Sequence, residues 1–281
     1  MRPRLPLAVL GLLAANVFVW HAVLAPRALT VSVLDIGQGD SILVEGPTGV
    51  RMLVDGGPDR SVLRELGAVM PFGDARIDAV VETHPDKDHI GGLADVFARY
   101  DVANFLEPGI GSDTNAVAAL RAATDREPGM RRIVARRGMR LNLGGGAYAD
   151  ILYPDRDVSS IDTNSGSVTM HVAYGATSFM LTGDLPIPVE EWLTHLDAKD
   201  GELPTTVLKA GHHGSRFSTG DDWLAALHPK TVAISVGAGN MYGHPTAEML
   251  ARVANEGATV YRTDKDGRLT FVSDGVTVRK R

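Results

Sequence analysis

Ten short runs dense in valine, isoleucine, leucine and threonine constrain this chain more than any other feature, because each has strand length and half of them precede a stretch of helical periodicity. They are residues 29–36, 41–46, 50–57, 77–84, 167–175, 177–184, 205–211, 231–237, 258–264 and 268–275. Residues 61–70, 93–100, 114–125, 189–196, 221–227 and 246–256 carry apolar residues at helical spacing. Turn residues Pro47-Thr48-Gly49 and Asp266-Gly267 predict hairpins. Antiparallel hairpins followed by strand-helix-strand units predict an α/β fold, an αββα sandwich of two mixed sheets flanked by helices. No repeat or linker divides residues 28–281, and 44% hydrophobic content supplies a core for one domain of that size.

Upstream, residues 5–25 are apolar apart from His21 and follow Arg2 and Arg4. About twenty apolar residues are enough for a helix to cross a bilayer. Residues 1–27 read as a transmembrane anchor or as a signal peptide ending at Val23-Leu24-Ala25, with a buried core helix as the plainer alternative. The first two readings export residues 28–281. With no cysteine, disulfides and thiolate metal ligands are excluded. A net charge of -6 argues against nonspecific coating of nucleic acid, so any contact with DNA must be local. Arg121, Arg126, Arg131, Arg132, Arg136, Arg137 and Arg140 form a basic segment, diluted by Asp125 and Glu127 and poor in aromatics, which reads as a solvated face.

The segment THPDKDHIGG, residues 83–92, follows an apolar run and precedes a helical one. It places His84, Asp86, Asp88 and His89 within six residues. Adjacent carboxylates repel, so such a grouping is costly unless a cation compensates. Imidazole nitrogens and carboxylate oxygens suit zinc, manganese or iron. A polar loop capping the next helix through Asp88 is the plainer alternative.

His84, Asp86, Asp88 and His89 resemble the H-x-H-x-D-H signature of the metallo-β-lactamase fold, with Asp86 where that family has its second histidine. The resemblance implies one or two divalent cations, the first pair helping to hold one and the Asp-His pair the other. An oxygen donor at Asp86 hardens the site and shifts preference from zinc toward manganese. The motifs LDIGQGDS (34–41), VDGG (54–57), LTGD (181–184), LKAGHHGS (208–215), SVGAGNMYGHP (235–245) and YRTDKDG (261–267) follow in order. Together they resemble the hydrolase domain of ComEC-type competence proteins, whose channel carries DNA across the bacterial inner membrane. The segment ending in Trp20 and Pro26 is similar to the last membrane helix before that domain. This implies an exported hydrolase anchored to the inner membrane, or secreted if cleaved, without the channel.

On that resemblance Asp184 is the carboxylate bridging two metals; alone it would read as a turn or cap residue. One of His212 and His213 completes the second metal and the other serves in hydrogen bonding or proton transfer; spacing leaves this open, and His212 is taken as the ligand. Where the family supplies a further histidine, this chain has DTNSGS (162–167), with Asn164 or Ser165 as weak substitutes beside the metals, so a single ion remains an alternative. His244 would touch a phosphate or assist the leaving group, or simply start a helix before Pro245. Lys209 would neutralise a phosphate, or lie on the surface. Asp35 and Asp40 bracket Gly37-Gln38-Gly39 and are expected to orient histidine ligands.

These features imply hydrolysis by metal-activated water, with Asp88 orienting the water and His213 or His244 protonating the leaving oxygen. A phosphodiesterase acting on DNA is the leading expectation. The alternatives are a hydrolase of a small ester, lactone or phosphoester, and a noncatalytic DNA-binding or membrane-assembly module.

Overall fold

The computed structural model describes residues 28–127, 129–197 and 203–281, with isolated positions 9, 11–13 and 16. The expected anchor or signal segment therefore lies almost wholly outside the described residues. Among these, no helix is long and apolar enough to cross a membrane.

Two large mixed sheets stack face to face. The first contains β1 (Leu29–Val33), β2 (Ile42–Glu45), β3 (Arg51–Val54), β5 (Ala79–Val81), β7 (Asn104–Glu107), β8 (Arg131–Val134), β16 (Leu269–Ser273) and β17 (Val278–Lys280). Its order is β17-β16-β1-β2-β3-β5-β7-β8, antiparallel up to β3 and parallel beyond. The second contains β9 (Arg140–Gly144), β10 (Ala147–Tyr153), β11 (Thr169–Tyr174), β12 (Thr177–Leu181), β13 (Val207–Lys209), β14 (Thr231–Ile234) and β15 (Thr259–Arg262). Its order is β15-β14-β13-β12-β11-β10-β9, with β12 to β15 parallel. A minor pair joins β4 (Arg76–Ile77) and β6 (Asp101–Val102).

Period-2 alternation splits each central strand between two cores. In β3, Met52 and Val54 face the second sheet, whereas Leu53 faces outward to α1 (Ser61–Val69) and α3 (Leu93–Arg99). In β12, Phe179 and Leu181 face the first sheet, and Met180 packs outward with Leu193 of α5 (Ile187–Asp197) and Trp223 of α6 (Asp221–Leu227). Val253 of α7 (Ala247–Asn255) joins that outer cluster. The result is the expected αββα arrangement.

One expected hairpin is absent. Asp266-Gly267 ends the short helix α8 (Thr263–Asp266), and the flanking strands β15 and β16 belong to different sheets. The chain crosses the sandwich there. The basic segment is dispersed over α4 (Asn115–Thr124), β8 and the start of β9 and pairs locally: Arg132 with Asp125 at 3.2 Å, Arg140 with Asp150 at 2.6 Å.

Candidate metal centre

Parallel strands end together, and their carboxyl-terminal ends collect the chemistry-bearing side chains at one rim of the sandwich. Strand β3 leads into Asp55, β5 into Thr83 and His84, β12 into Asp184, β13 into His212 and His213, and β14 into Ser235. The one-turn helix α2 (Lys87–Ile90) adds Asp88 and His89, with Asp86 just before it. Gly39 lets the neighbouring turn approach: its φ is +131°, and a Cβ there would collide with the Asp88 carbonyl oxygen. The backbone N–H of Asp40 donates to that same carbonyl at 3.2 Å.

His84, His89 and His213 are buried, and the Nε2 of each lacks a hydrogen-bond partner among the described residues, as does Asp184 Oδ1. His89 Nε2 lies 3.3 Å from Asp184 Oδ1, and His84 Nε2 lies 3.9 Å from Asp184 Oδ2. His213 Nε2 is 3.4 Å from Asp88 Oδ2 and 3.6 Å from Asp184 Oδ2. Asp86 Oδ2 faces His84 Nε2 at 3.8 Å from a half-buried position.

The opposite ring nitrogens fix the tautomers. His213 Nδ1 lies 3.1 Å from the Ser235 carbonyl, which only accepts, and 3.3 Å from Asp40 Oδ1; it must carry the proton. His89 Nδ1 donates to Asp55 Oδ2 at 2.8 Å. Thr83 Oγ1 gives its own proton to Asp55 at 2.7 Å and thereby accepts from His84 Nδ1 at 3.0 Å. In the neutral rings, all three Nε2 lone pairs then point into one space.

The carboxylates of the cluster draw positive charge toward them, a proton on His213 included, and that is the charge a bound cation would replace. Burial disfavours charge on Asp184, but His213, His89 and His84 outweigh it and hold the carboxyl well below its usual range. Burial likewise opposes charge on His213, yet Asp184 and Asp40 push it up to about 9; His84, where burial and His89 dominate, falls to about 3. Leaving so many buried polar atoms unsatisfied costs about 1–3 kcal/mol each. The groups His84, His89, Asp184 and Asp88, His89, His213 each bring ligand atoms within 4.8 Å of one another. A divalent cation satisfies imidazole lone pairs and carboxylates at once, so the donor set fits the metal that the fold family implies.

His212 and His213 both have left-handed backbone, φ 47° and 53°. Such strain costs of order 1–3 kcal/mol per residue and persists only when the surroundings enforce it. It aims the rings differently: His213 enters the cluster, while His212 stays half-buried at the rim with Nε2 3.6 Å from Asp184 Oδ2. The interior position thus belongs to His213 and the rim to His212, the expected ligand, and both bring Nε2 to 3.6 Å from Asp184 Oδ2. His244 stands beside His212, ring centroids 5.7 Å apart.

Two further expectations need correction. Lys209 is neither on the surface nor facing a substrate; it is buried, with Nζ 2.5 Å from Asp40 Oδ2 and donating to the Ala210 carbonyl at 2.8 Å. Asp35 stays outside the cluster, its carbonyl accepting from Arg64 at 3.0 Å. In the DTNSGS loop, Asn164 Oδ1 is buried and, like the ligand atoms above, without a hydrogen-bond partner among the described residues, while the Ser165 N–H donates to Asp162 Oδ1 at 2.9 Å. Ser167 of the same loop reaches the cluster: its Oγ lies 3.4 Å from His84 Nδ1 and accepts from the Asp184 N–H at 3.2 Å. Asp40 sits behind His213, its Oδ1 3.3 Å from Nδ1. Asp55 and Ser167 went unassigned in the sequence, although VDGG and DTNSGS frame them.

A sequence model of the metallo-beta-lactamase superfamily matches residues 34–237. ComE operon protein 3 of Bacillus subtilis (strain 168) is 32% identical over 259 residues, 86% of this chain and 32% of that protein. Competence protein ComA of Neisseria gonorrhoeae is 30% identical over 270 residues, 95% of this chain and 35% of that protein. The chain thus spans about a third of the length of these curated relatives. The metallo-beta-lactamase fold protein YhfI from Bacillus subtilis superposes with a TM-score of 0.53 at 11% identity, covering 83% of this chain and 96% of that one, a likeness of fold.

Proposed function

The chain belongs to the metallo-β-lactamase superfamily, a hydrolase fold, and on that premise we propose that it is a metal-dependent phosphodiesterase acting on DNA. The observation carrying the proposal is the convergence of the unpartnered Nε2 atoms of His84, His89 and His213 on the carboxylates of Asp88 and Asp184. The similarity to competence proteins supports DNA as the substrate.

In this reading His84, Asp86, Asp88, His89, Asp184 and His213 would hold one or two divalent cations, and the three carboxylates favour manganese over zinc. A cation bound there supplies positive charge that polarises a phosphoryl oxygen and lowers the pKa of water. The chain's own groups then have separate tasks. Asp55, Asp40 and Thr83 hold the imidazoles in orientation from behind. With Nδ1 on the Ser235 carbonyl and Nε2 turned to the cation, His213 would have no ring nitrogen to spare, so hydrogen bonding to a leaving oxygen falls to His212 and His244 at the rim. No side chain is needed as a covalent nucleophile.

Incubating the full chain with manganese or zinc and single- or double-stranded DNA tests this reading. Metal-dependent cleavage that disappears in His84→Ala and Asp88→Ala is expected. Hydrolysis of lactones or model esters without DNA cleavage would move the function to small substrates; DNA binding without turnover under any metal would make the chain a binding module.

A further inference from the structure

The loop between β14 and α7 presents Met241 and Tyr242 to solvent, 95% and 65% exposed. The backbone beneath them is braced. Asn240 Nδ2 donates to the carbonyls of Gly237 and His244 at 3.0 and 2.7 Å, its Oδ1 accepts from the His244 N–H at 3.0 Å, and the Gly237 N–H donates to Gln38 Oε1 at 3.1 Å. An exposed aromatic on a fixed support is a binding surface held ready, because little ordering cost remains when a ligand arrives.

The ring of Tyr242 lies nearly parallel to that of His244, centroids 5.9 Å and planes 19° apart, and His244 meets His212 edge-on. A row of rings therefore runs from solvent toward Asp184. Tyr242 also borders two adjoining cavities. One, about 160 Å³, is the carboxylate and histidine cluster itself. The other, about 390 Å³, is walled by Pro58, Lys87, Asn240 and Met241, and shares Gln38 and Asp88 with the first. Its walls combine apolar surface with amides and one ammonium, a combination suited to a planar heterocycle with a polar edge. Asp88 at its border opposes a second phosphate there.

We propose that Tyr242, with Met241 beside it, is a stacking subsite for the nucleobase next to the phosphodiester bound at the cluster, and that the site accordingly takes unpaired strands. The inference rests on the phosphodiesterase reading. A base inside a duplex already has both faces covered, whereas a base in a single strand or frayed end can lie against an aromatic side chain.

The test uses the full chain loaded with manganese and a cleavage-resistant phosphorothioate oligonucleotide, with Tyr242→Ala, Tyr242→Phe and Tyr242→Trp as variants. Tyr242→Ala is expected to weaken single-strand binding roughly tenfold, within the range found for loss of one stacked base, while the phenylalanine and tryptophan variants retain it. Moving an abasic sugar along the strand should reveal one position that weakens the wild type by a similar factor and adds nothing in Tyr242→Ala. A 2-aminopurine placed there should be quenched by the wild type and not by the alanine variant, at equal bound metal. Equal single-strand affinity of wild type and Tyr242→Ala, or tighter binding of duplex than of single strand, overturns the subsite. If the wild type still cleaves DNA in that case, the nuclease reading survives without it; if the wild type neither binds nor cleaves either form of DNA, both fail.

Discussion

Asp55 accepts three hydrogen bonds, from the Thr83 N–H at 2.8 Å, Thr83 Oγ1 at 2.7 Å and His89 Nδ1 at 2.8 Å, and so sets the direction of two imidazoles without touching the central space. Burial drives its pKa upward against the pull of His89 and Thr83. Replacing it by asparagine keeps the volume but puts an N–H₂ where donors already converge. Asp55→Asn is therefore expected to lower metal affinity about 10- to 100-fold, the usual cost of losing a partner behind a ligand. Competition with a fluorescent chelator measures this, and unchanged affinity would refute the role. The sequence hid Asp55 for a simple reason. His84, Asp86, Asp88 and His89 are neighbours in the chain, so their density is visible; Asp55 reaches Thr83 only because β3 and β5 pair in parallel. Ser167 was hidden likewise, since it meets Asp184 and His84 across three separate loops.

The loop carrying His212 and His213 is held between two helices. Glu190 of α5 accepts from the N–H groups of Thr219 and Gly220 at 2.7 and 2.8 Å, and Arg252 of α7 donates to the carbonyls of Arg216, Ser218 and Thr219 at 2.9 to 3.0 Å. Burial, aided by Glu191, pushes the Glu190 carboxyl up to about 7, against the lowering by the two N–H groups and Arg252. An acid raised in the folded state from its ordinary value of 4.5 keeps a proton that the unfolded chain has released. This contribution is most favourable below pH ~4.5 and declines as pH rises to ~7, by roughly 3 kcal/mol at about 1.4 kcal/mol per pKa unit. Denaturant titrations of wild type and Glu190→Gln across that window should differ in slope, the variant losing this decline; parallel curves would exclude it. The helices that make the clamp were legible because their apolar spacing is regular. Strand β8 was not, since it is arginine-rich and largely exposed and carries no alternation to read, whereas β10 does alternate between buried and half-buried residues and its signal was there to find. Asp266-Gly267 misled because a turn signal does not say which sheet the next strand joins.

The metal cluster lies where the two sheets meet, so neither half of the sandwich holds it alone. Asp55 and His84 follow strands of the first sheet, and Asp184 and His213 follow strands of the second. A cation seated among them ties both sheets together, and one that binds only the folded chain stabilises it by about 2.7 kcal/mol at a free concentration one hundred times its Kd. In a domain of this size, 1 kcal/mol moves the melting temperature by roughly 2–4 °C. Removing the cation also leaves the carboxylates of Asp86, Asp88 and Asp184 facing one another with less positive charge between them. Chelation is thus expected to lower the melting temperature of the full chain by roughly 5–10 °C, reversibly on adding manganese. Because both sheets lose the same tie, the loss should appear as one shifted transition rather than as the early melting of one half. Asp184→Asn, which weakens the carboxylate shared by all three buried histidines, should make the melting temperature insensitive to chelator. Scanning calorimetry of both proteins with and without chelator reads each outcome, and a wild-type melting temperature unmoved by chelation would remove the cation from the account of this fold's stability.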